Sequence, residues 1–384
     1  MDLRLETAGE SHGKVLTAIL AGIPAASPVT EAFVNARLKA RQGGLGSSAR
    51  QKTEKDEVRF TAGVRDGQAT GNPIALQVAN RDTRYEALPP VHTPRPGHAD
   101  LAGALNRGLQ DARNIVERSS ARETAARVAA GAVAAEFLEA LGICVLGHAL
   151  EVGGIHVGRD AGSDLEAERR VRDASDLHAL GSPEAGAEAA QLIAEAHREG
   201  DTLGGIIEVV ASDVPVGLGG HERPETKLSR GLAAAVMGIQ AVKGVEIGPG
   251  FANAKRRGRE VHDAILPPDE LPGAPVRRGN QAGGIEGGMS NGQPIVVRAA
   301  MKPLATLRHP LPSVDLRSGE VAPARIERSD VTAVPRLAIV AEAVVALELA
   351  RQVLRRFGGA SLEEVAEAIA RHRARVDLLL GEGA

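Results

Sequence analysis

A chain of 384 residues is long enough for one large domain or two ordinary ones, each with a full buried core. A formal net charge of −3 gives no overall pull toward nucleic acid or an anionic membrane, and aromatics at 2%, without Trp, leave few platforms on which bases could stack. The single cysteine, Cys144, excludes an intrachain disulfide and a cysteine-built metal site.

In chain order, the start Met-Asp-Leu-Arg-Leu-Glu lacks the apolar region of a secretion signal, and no apolar run reaches membrane-spanning length. A cytoplasmic protein is expected. Residues 14–23 read as a strand. Thr30 is the expected N-cap of a helix running to Arg41. A Gly-rich basic loop follows over 42–55, then strands at 58–62 and 74–79 with a turn at Asp66-Gly67. Residues 80–100 are polar and Pro-rich, without periodicity. Ser120 and Glu123 have capping-box spacing, and the Ala- and Val-rich stretch behind them predicts a helix to about Leu141, apolar nearly all round and so packed between layers. Two charged helices are expected over 160–200, the second with Ser182 as N-cap, Pro183 at its first position and Gly200 as its stop. A strand at 204–214, a helix at 227–241, a strand at 294–301 and helices near 336–356 and 361–377 complete the pattern. Ser361 and Glu364 repeat the capping-box spacing. Paired strands with helices between the groups predict a mixed α/β architecture with antiparallel sheets and no linker dividing the chain.

Chemistry concentrates in a few short motifs. Gly9-Glu10-Ser11-His12-Gly13-Lys14 is one residue short of phosphate-loop spacing, and Val15 stands where such a loop carries Ser or Thr, so the run reads as a tight turn exposing Ser11 and His12. In Arg95-Pro96-Gly97-His98-Ala99-Asp100 the Pro-Gly pair forces a turn able to aim His98, with Asp100 either orienting the ring or capping the next helix. Arg118 and Arg122 flank the helix expected after Ser120, whose N-terminus would attract an anion. A dense glycine loop spans 283–292, Lys302 and Thr306 close the following strand, and Arg328 and Asp330 are spaced to point the same way on a strand. No Rossmann fingerprint, nucleophile elbow or zinc-ligand spacing occurs. On residues alone, a solvated turn remains open for each histidine, and a flexible hairpin for the glycine loop.

Taken in order, Ala8-Gly-Glu-Ser-His-Gly13, Arg95-Pro-Gly-His-Ala-Asp100, Arg118-Ser-Ser-Ala-Arg-Glu-Thr-Ala125, Ala241-Val-Lys-Gly244, Gly287-Gly-Met-Ser-Asn-Gly292 and Arg328-Ser-Asp330 resemble the motif series of the chorismate synthase family. The resemblance spans nearly the whole chain. It implies a single domain over 1–384, an α/β sandwich with helices packed between antiparallel β-sheets, and assembly as a homotetramer. It also implies a lyase that uses reduced FMN to eliminate phosphate from 5-enolpyruvylshikimate 3-phosphate, giving chorismate, with NADPH as a possible ultimate reductant. By the same resemblance, Arg118, Ser119, Ser120, Gln240, Ala241, Gly287, Lys302, Pro303, Leu304, Ala305, Thr306 and Arg328 bind the flavin. Arg41, Arg50, Arg95 and Arg122 gather substrate anions. His12, with Ser11 beside it, protonates the departing phosphate, His98 stabilises the reduced flavin, and Asp330 assists proton removal. Members of the family often carry a basic residue where this chain has Ser47, so a nicotinamide or substrate contact in that loop loses a cation. Two other readings use the same residues: an FMN oxidoreductase with net hydride transfer, and a non-catalytic polyanion-binding protein.

Overall fold

Residues 2–46, 54–266, 277–327 and 330–380 are described by a computed structural model. Strand patterning sets its outer layers. Strands β1 (Arg4–Ala8), β2 (Val15–Ala21), β3 (Val58–Ala62) and β4 (Ile74–Ala79) form an antiparallel sheet in the order β1-β2-β4-β3. Every second residue of β2 (Leu16, Ala18, Leu20) and of β4 (Ile74, Leu76, Val78) is buried, so this sheet has one core face. A second antiparallel sheet holds β5 (Cys144–Val152), β6 (Ile155–His156), β7 (Gly205–Ser212), β8 (Val242–Ile247) and β9 (Ile295–Met301), in the order β8-β9-β7-β5-β6.

The helices, in chain order, are α1 (Glu31–Gln42), α2 (Asp100–Arg107), α3 (Arg113–Ser119), α4 (Thr124–Glu139), α5 (Leu165–Ala174), α6 (Pro183–Glu199), α7 (Leu228–Met237), α8 (Val334–Phe357) and α9 (Leu362–Leu380). Helices α1 and α4 lie on the first sheet and α8 on the second, with α4 and α8 packed against each other between them. One hydrophobic core runs through all four layers, from Leu16 and Leu76 across Val128 and Val345 to Val209 and Val297. Small residues make this stacking possible. A Cβ on Gly131 of α4 would lie 2.5 Å from the Ala343 Cβ of α8, and one on Gly147 of β5 would lie 2.2 Å from the Ala338 carbonyl oxygen. The expected sandwich is therefore present, and the all-round apolar character of α4 has its cause: neighbours on every side.

Several local expectations hold. Thr30 Oγ1 accepts from the Phe33 amide and so caps α1. Ser182, Pro183 and left-handed Gly200 delimit α6. The Asp66-Gly67 turn has both residues at positive φ. Others need correction. Ser120 Oγ caps a 3₁₀ turn, Ala121–Glu123, and α4 begins only at Thr124. Glu123 does not close a capping box. Its carboxylate instead accepts from Thr7 Oγ1 at 2.8 Å, Arg127 Nε at 2.9 Å and Gln240 Nε2 at 3.2 Å. Two tertiary donors and a charged one a helical turn on outcompete a single backbone amide. Asp330 is not in a strand; it lies in the irregular link leading to α8.

Strands β1, β5 and β8 and helices α2 and α3 have no counterpart among the expected elements. β1 is a charged edge strand, and β5 is buried on both faces, so its apolar run lacks the alternation that marks a strand.

Candidate active site

The loop between β1 and β2 is a built structure. Gly9 takes φ +116°, where a Cβ would meet the Val15 carbonyl oxygen at 2.5 Å. Asn80 Nδ2 donates to the Gly13 and Glu10 carbonyls, and the Ser11 amide donates to the Glu117 carbonyl at 3.1 Å. Ser120 Oγ donates to Ser11 Oγ at 3.1 Å, which joins the first motif to the third. His12 Nδ1 lies 2.9 Å from Glu117 Oε2, and Glu117 also accepts from Arg113 Nη1 at 3.0 Å. Burial alone would raise the Glu117 carboxyl, but hydrogen bonds from His12 and Arg113 outweigh it and hold the group below the usual glutamate range.

The second histidine is oriented within its own motif. Pro96-Gly97 turns the chain, with Gly97 at φ +75°. His98 Nδ1 is hydrogen-bonded to Asp100 Oδ1. Arg95 Nε donates to Asp100 Oδ2 at 2.8 Å, and Arg95 Nη1 donates to Thr306 Oγ1 at 3.0 Å. Asp100 is fully buried. Burial opposes its ionisation, but the bonds from His98 and Arg95 win and hold its carboxyl far below the ordinary aspartate value. Of the two roles open to Asp100, it takes ring orientation: its side chain makes no cap hydrogen bond in α2.

Both histidines face a cavity of about 560 Å³, within the size range of small-molecule sites. Ser11, Ser119, Ser120, Gln240, Ala241, Lys302, Leu304, Ala305, Thr306 and Asp330 line it, as do Arg41, Arg95 and Arg122. Motifs hundreds of residues apart in sequence thus share one wall. Val116, Ile239, Val242, Met301, Leu337 and Val340 supply an apolar side. Ala241 sits at φ +68°, a conformation that residues other than glycine rarely adopt, and its carbonyl accepts from the Lys302 amide at 3.0 Å.

The cations are not uniformly available. Arg41 Nη1 and Arg122 Nη1 both donate to Asp56, while Arg41 also holds Thr124 Oγ1 and Arg122 holds Asn80 Oδ1. Burial pushes Arg41 down to about 10, against the pull of Asp56, and repulsion from Arg122 and Arg336 adds to it. Arg336, at the start of α8, donates to Asp330. The arginines expected to meet substrate directly are therefore already racked by carboxylates, and offer a ligand their remaining N–H groups. Lys243 and Lys302 differ: neither has a carboxylate partner among the described residues. Burial, then Lys243, holds Lys302 below the ordinary lysine value, a cost that an incoming anion would relieve.

Three expected residues lie elsewhere. Arg118 is directed at the Thr7 and Gly9 carbonyls, 2.9 and 3.2 Å away, and braces the β1–β2 loop rather than facing the cavity. Gly287 turns a small hairpin (285–290) that packs on residues 217–220 and Leu228, and Pro303 does not line the cavity. Ser47, Arg50 and Arg328 fall outside the described residues. Conversely, Glu117, Lys243, Arg336, Glu54 and Asp56 were not singled out from sequence. For Glu117 a signal existed: Arg113 and Glu117 are four apart, the spacing of a helical ion pair.

Comparison with known proteins adds a consistent picture. The chorismate synthase family model matches residues 3–354. The chain is 47% identical over 386 aligned positions to chorismate synthase of Bacillus cytotoxicus, covering 96% of this chain and 98% of that protein. It is 49% identical to that of Geobacter sulfurreducens, with 94% and 96% covered. For that of Mycolicibacterium smegmatis the identity is 48%, with 94% of each covered. A solved crystal structure of chorismate synthase superposes with a TM-score of 0.79 at 38% identity, covering 98% of both chains.

Proposed function

The chain belongs to the chorismate synthase family, and on that premise we propose that this cavity brings 5-enolpyruvylshikimate 3-phosphate against reduced FMN and eliminates phosphate to leave chorismate, on the route to aromatic amino acids. The observation that carries the reading is the convergence of Ser11-His12, Arg95 to His98, Ser119 to Arg122, Gln240-Ala241, Lys302 to Thr306 and Asp330 on one cavity.

The donor set fits a flavin nucleotide. A planar ring needs an apolar wall and polar groups at its edge; Ile239, Val242 and Met301 provide the first, and Gln240 and Ser120 the second. An anionic tail needs cations not already paired with a carboxylate, and Lys302 with Lys243 fits that need among the described residues. Ser119, Ser120, Gln240, Ala241, Lys302 and Leu304 to Thr306 are the residues that would hold it. When bound, reduced FMN supplies electron density that helps expel phosphate from a substrate whose broken C–H bond is poorly acidic, with no net redox change.

The chain's own groups do the rest. Arg41, Arg95 and Arg122, fixed by Asp56 and Asp100, hold the substrate's anionic groups through their free N–H groups in a water-poor site. His12, held at Nδ1, donates from Nε2 to the departing phosphate. His98, held at Nδ1 by Asp100, would present its ring to the reduced flavin and help stabilise its negative charge. Asp330, bonded to Arg336, assists removal of the substrate's proton. The same reading gives a homotetramer in the cytoplasm, its flavin kept reduced by an external donor such as NADPH.

Anaerobic incubation with photoreduced FMN and the enolpyruvyl substrate tests the core of this. Phosphate and chorismate should appear in equal amounts without stoichiometric loss of reductant. One reductant consumed per phosphate would favour a hydride-transferring flavoenzyme, and no phosphate release would defeat the reading. Sedimentation at micromolar concentration tests the tetramer.

A further inference from the structure

We propose that Glu117, backed by Arg113, is the positioning residue that holds His12 in the tautomer a proton donor needs; the proposal rests on the donor role given to His12 above. Two hydrogens of His12 reach this one carboxylate. The backbone amide donates to Oε2 at 2.9 Å, and ring Nδ1 lies 2.9 Å from Oε2 and 3.1 Å from Oε1. The carboxylate is itself fixed: Arg113 Nη1 donates to Oε1 at 3.0 Å, while Arg113 Nε is anchored on the Pro89 carbonyl at 2.9 Å. Glu117 is 1% exposed, so no water competes for these bonds.

The chemistry follows from the proton inventory. A carboxylate held below the usual glutamate range by the His12 ring first, then by the His12 amide and Arg113, has no hydrogen to give. Nδ1 must then carry the hydrogen, and Nε2 becomes the nitrogen that gains and loses a proton. Asp82 Oδ2 lies 3.8 Å from Nε2. The other titratable groups around the ring are Glu10, in the same loop, and Tyr85, whose amide donates to the His12 carbonyl at 3.1 Å. Of these, Glu117 alone makes a hydrogen bond to the ring among the described residues. Its negative charge lies in hydrogen-bond contact with the ring, so a variant without that charge changes the field in which Nε2 exchanges its proton.

Glu117→Gln tests this in the full chain, because it keeps the shape and removes the charge. With reduced FMN and substrate, kcat should fall by about 10²–10³-fold with KM changed little, the scale of a mispositioned acid–base group. The alkaline fall of kcat should move to lower pH. Adding His12→Ala to Glu117→Gln should slow turnover no further than His12→Ala does alone. In ¹⁵N-histidine spectra of the flavin-free protein, His12 should show the Nδ1–H form in the wild type and in Glu117→Asp, and a mixture of tautomers in Glu117→Gln. A pH profile of unchanged shape, losses that multiply in the double variant, or an unaltered Nδ1–H signal in Glu117→Gln would each overturn the proposal. Full turnover by His12→Ala would instead remove the donor assignment, while the flavin-free spectra would still decide whether Glu117 sets the tautomer.

Discussion

The two histidines of the cavity are held by the same device made in opposite ways. His98 is oriented by Asp100, two residues along the chain, and Asp100 is paired with Arg95, five residues back. His12 is oriented by Glu117, 105 residues away, and Glu117 is paired with Arg113, one helical turn earlier. In both, a buried carboxylate takes the ring Nδ1 and an arginine keeps that carboxylate charged. The first station is assembled by a turn, and the second exists only once α3 has docked against the β1–β2 loop. The carboxylate and arginine that aim His98 lie within its own motif, with Thr306 as a distant second anchor for Arg95, whereas those that aim His12 meet it only in the folded chain.

The largest expected contrast comes from removing the carboxylates. Asp100→Ala strands the buried Arg95 guanidinium and should lower stability by roughly 3–5 kcal/mol in denaturant titration; Glu117→Ala should cost less, because Arg113 keeps Glu327 at 3.7 Å. If the stations differ as described, Asp100→Ala should unfold the α2 segment locally. Glu117→Ala should also loosen the β1–β2 loop, read as faster amide exchange at Ser11 and His12. Equal and purely global effects would erase the distinction.

Next in size are the rings themselves. His12→Ala and His98→Ala should each slow turnover by about 10²–10⁴-fold while reduced FMN still binds, measured by flavin titration and phosphate release. Wild-type turnover in both would show that neither station serves the chemistry.

Acid titration sharpens the comparison further. Asp100 and Glu117 both have folded-state values below their unfolded ones. Each therefore stabilises the fold above the unfolded carboxyl values, about 3.9 for Asp and 4.3 for Glu. That stability is lost as pH falls below them toward the folded values. The Asp100 depression is the larger, so Asp100→Asn should flatten the acid side of the stability profile more than Glu117→Gln. The reverse order would mean that the long-range station carries the stronger ion pair.

The smallest effect should come from Thr306→Val, which takes away the second anchor of Arg95 and leaves a buried N–H without its acceptor. A loss of about 1–3 kcal/mol is expected by thermal unfolding, with His98 still bonded to Asp100.

How much of this was legible follows the same division. The RPGHAD turn, the Thr30 cap, the Ser182-Pro183 start of α6 and the small-residue helix α4 are all contacts within a few positions, and the residues announce them. The motif series also marked Ser11, His12, Ser119 and Ser120 as belonging together, and the family resemblance it carries added Gln240 and Thr306. The sequence did not show that Glu123 would leave Ser120 for Thr7, Arg127 and Gln240, nor that Arg118 would brace a loop. Nor did it reveal β5, whose two buried faces remove the alternation a strand normally displays. In each case the deciding partner comes from a distant segment.

From its residue order alone this chain declares a mixed α/β pattern with antiparallel pairing and the short turns that carry its reactive side chains, because backbone preferences and neighbour contacts act over a few residues; the sandwich was implied only by the resemblance of its motif series to a family. Which carboxylate meets which arginine or imidazole was settled by packing. The pairings of Arg41 and Arg122 with Asp56, of His12 with Glu117 and of Asp330 with Arg336 at the head of α8 form where the sheets and helices close on the cavity. For these buried groups an unpaired charge is costly, and an opposite charge nearby in space becomes the partner whatever its distance along the chain.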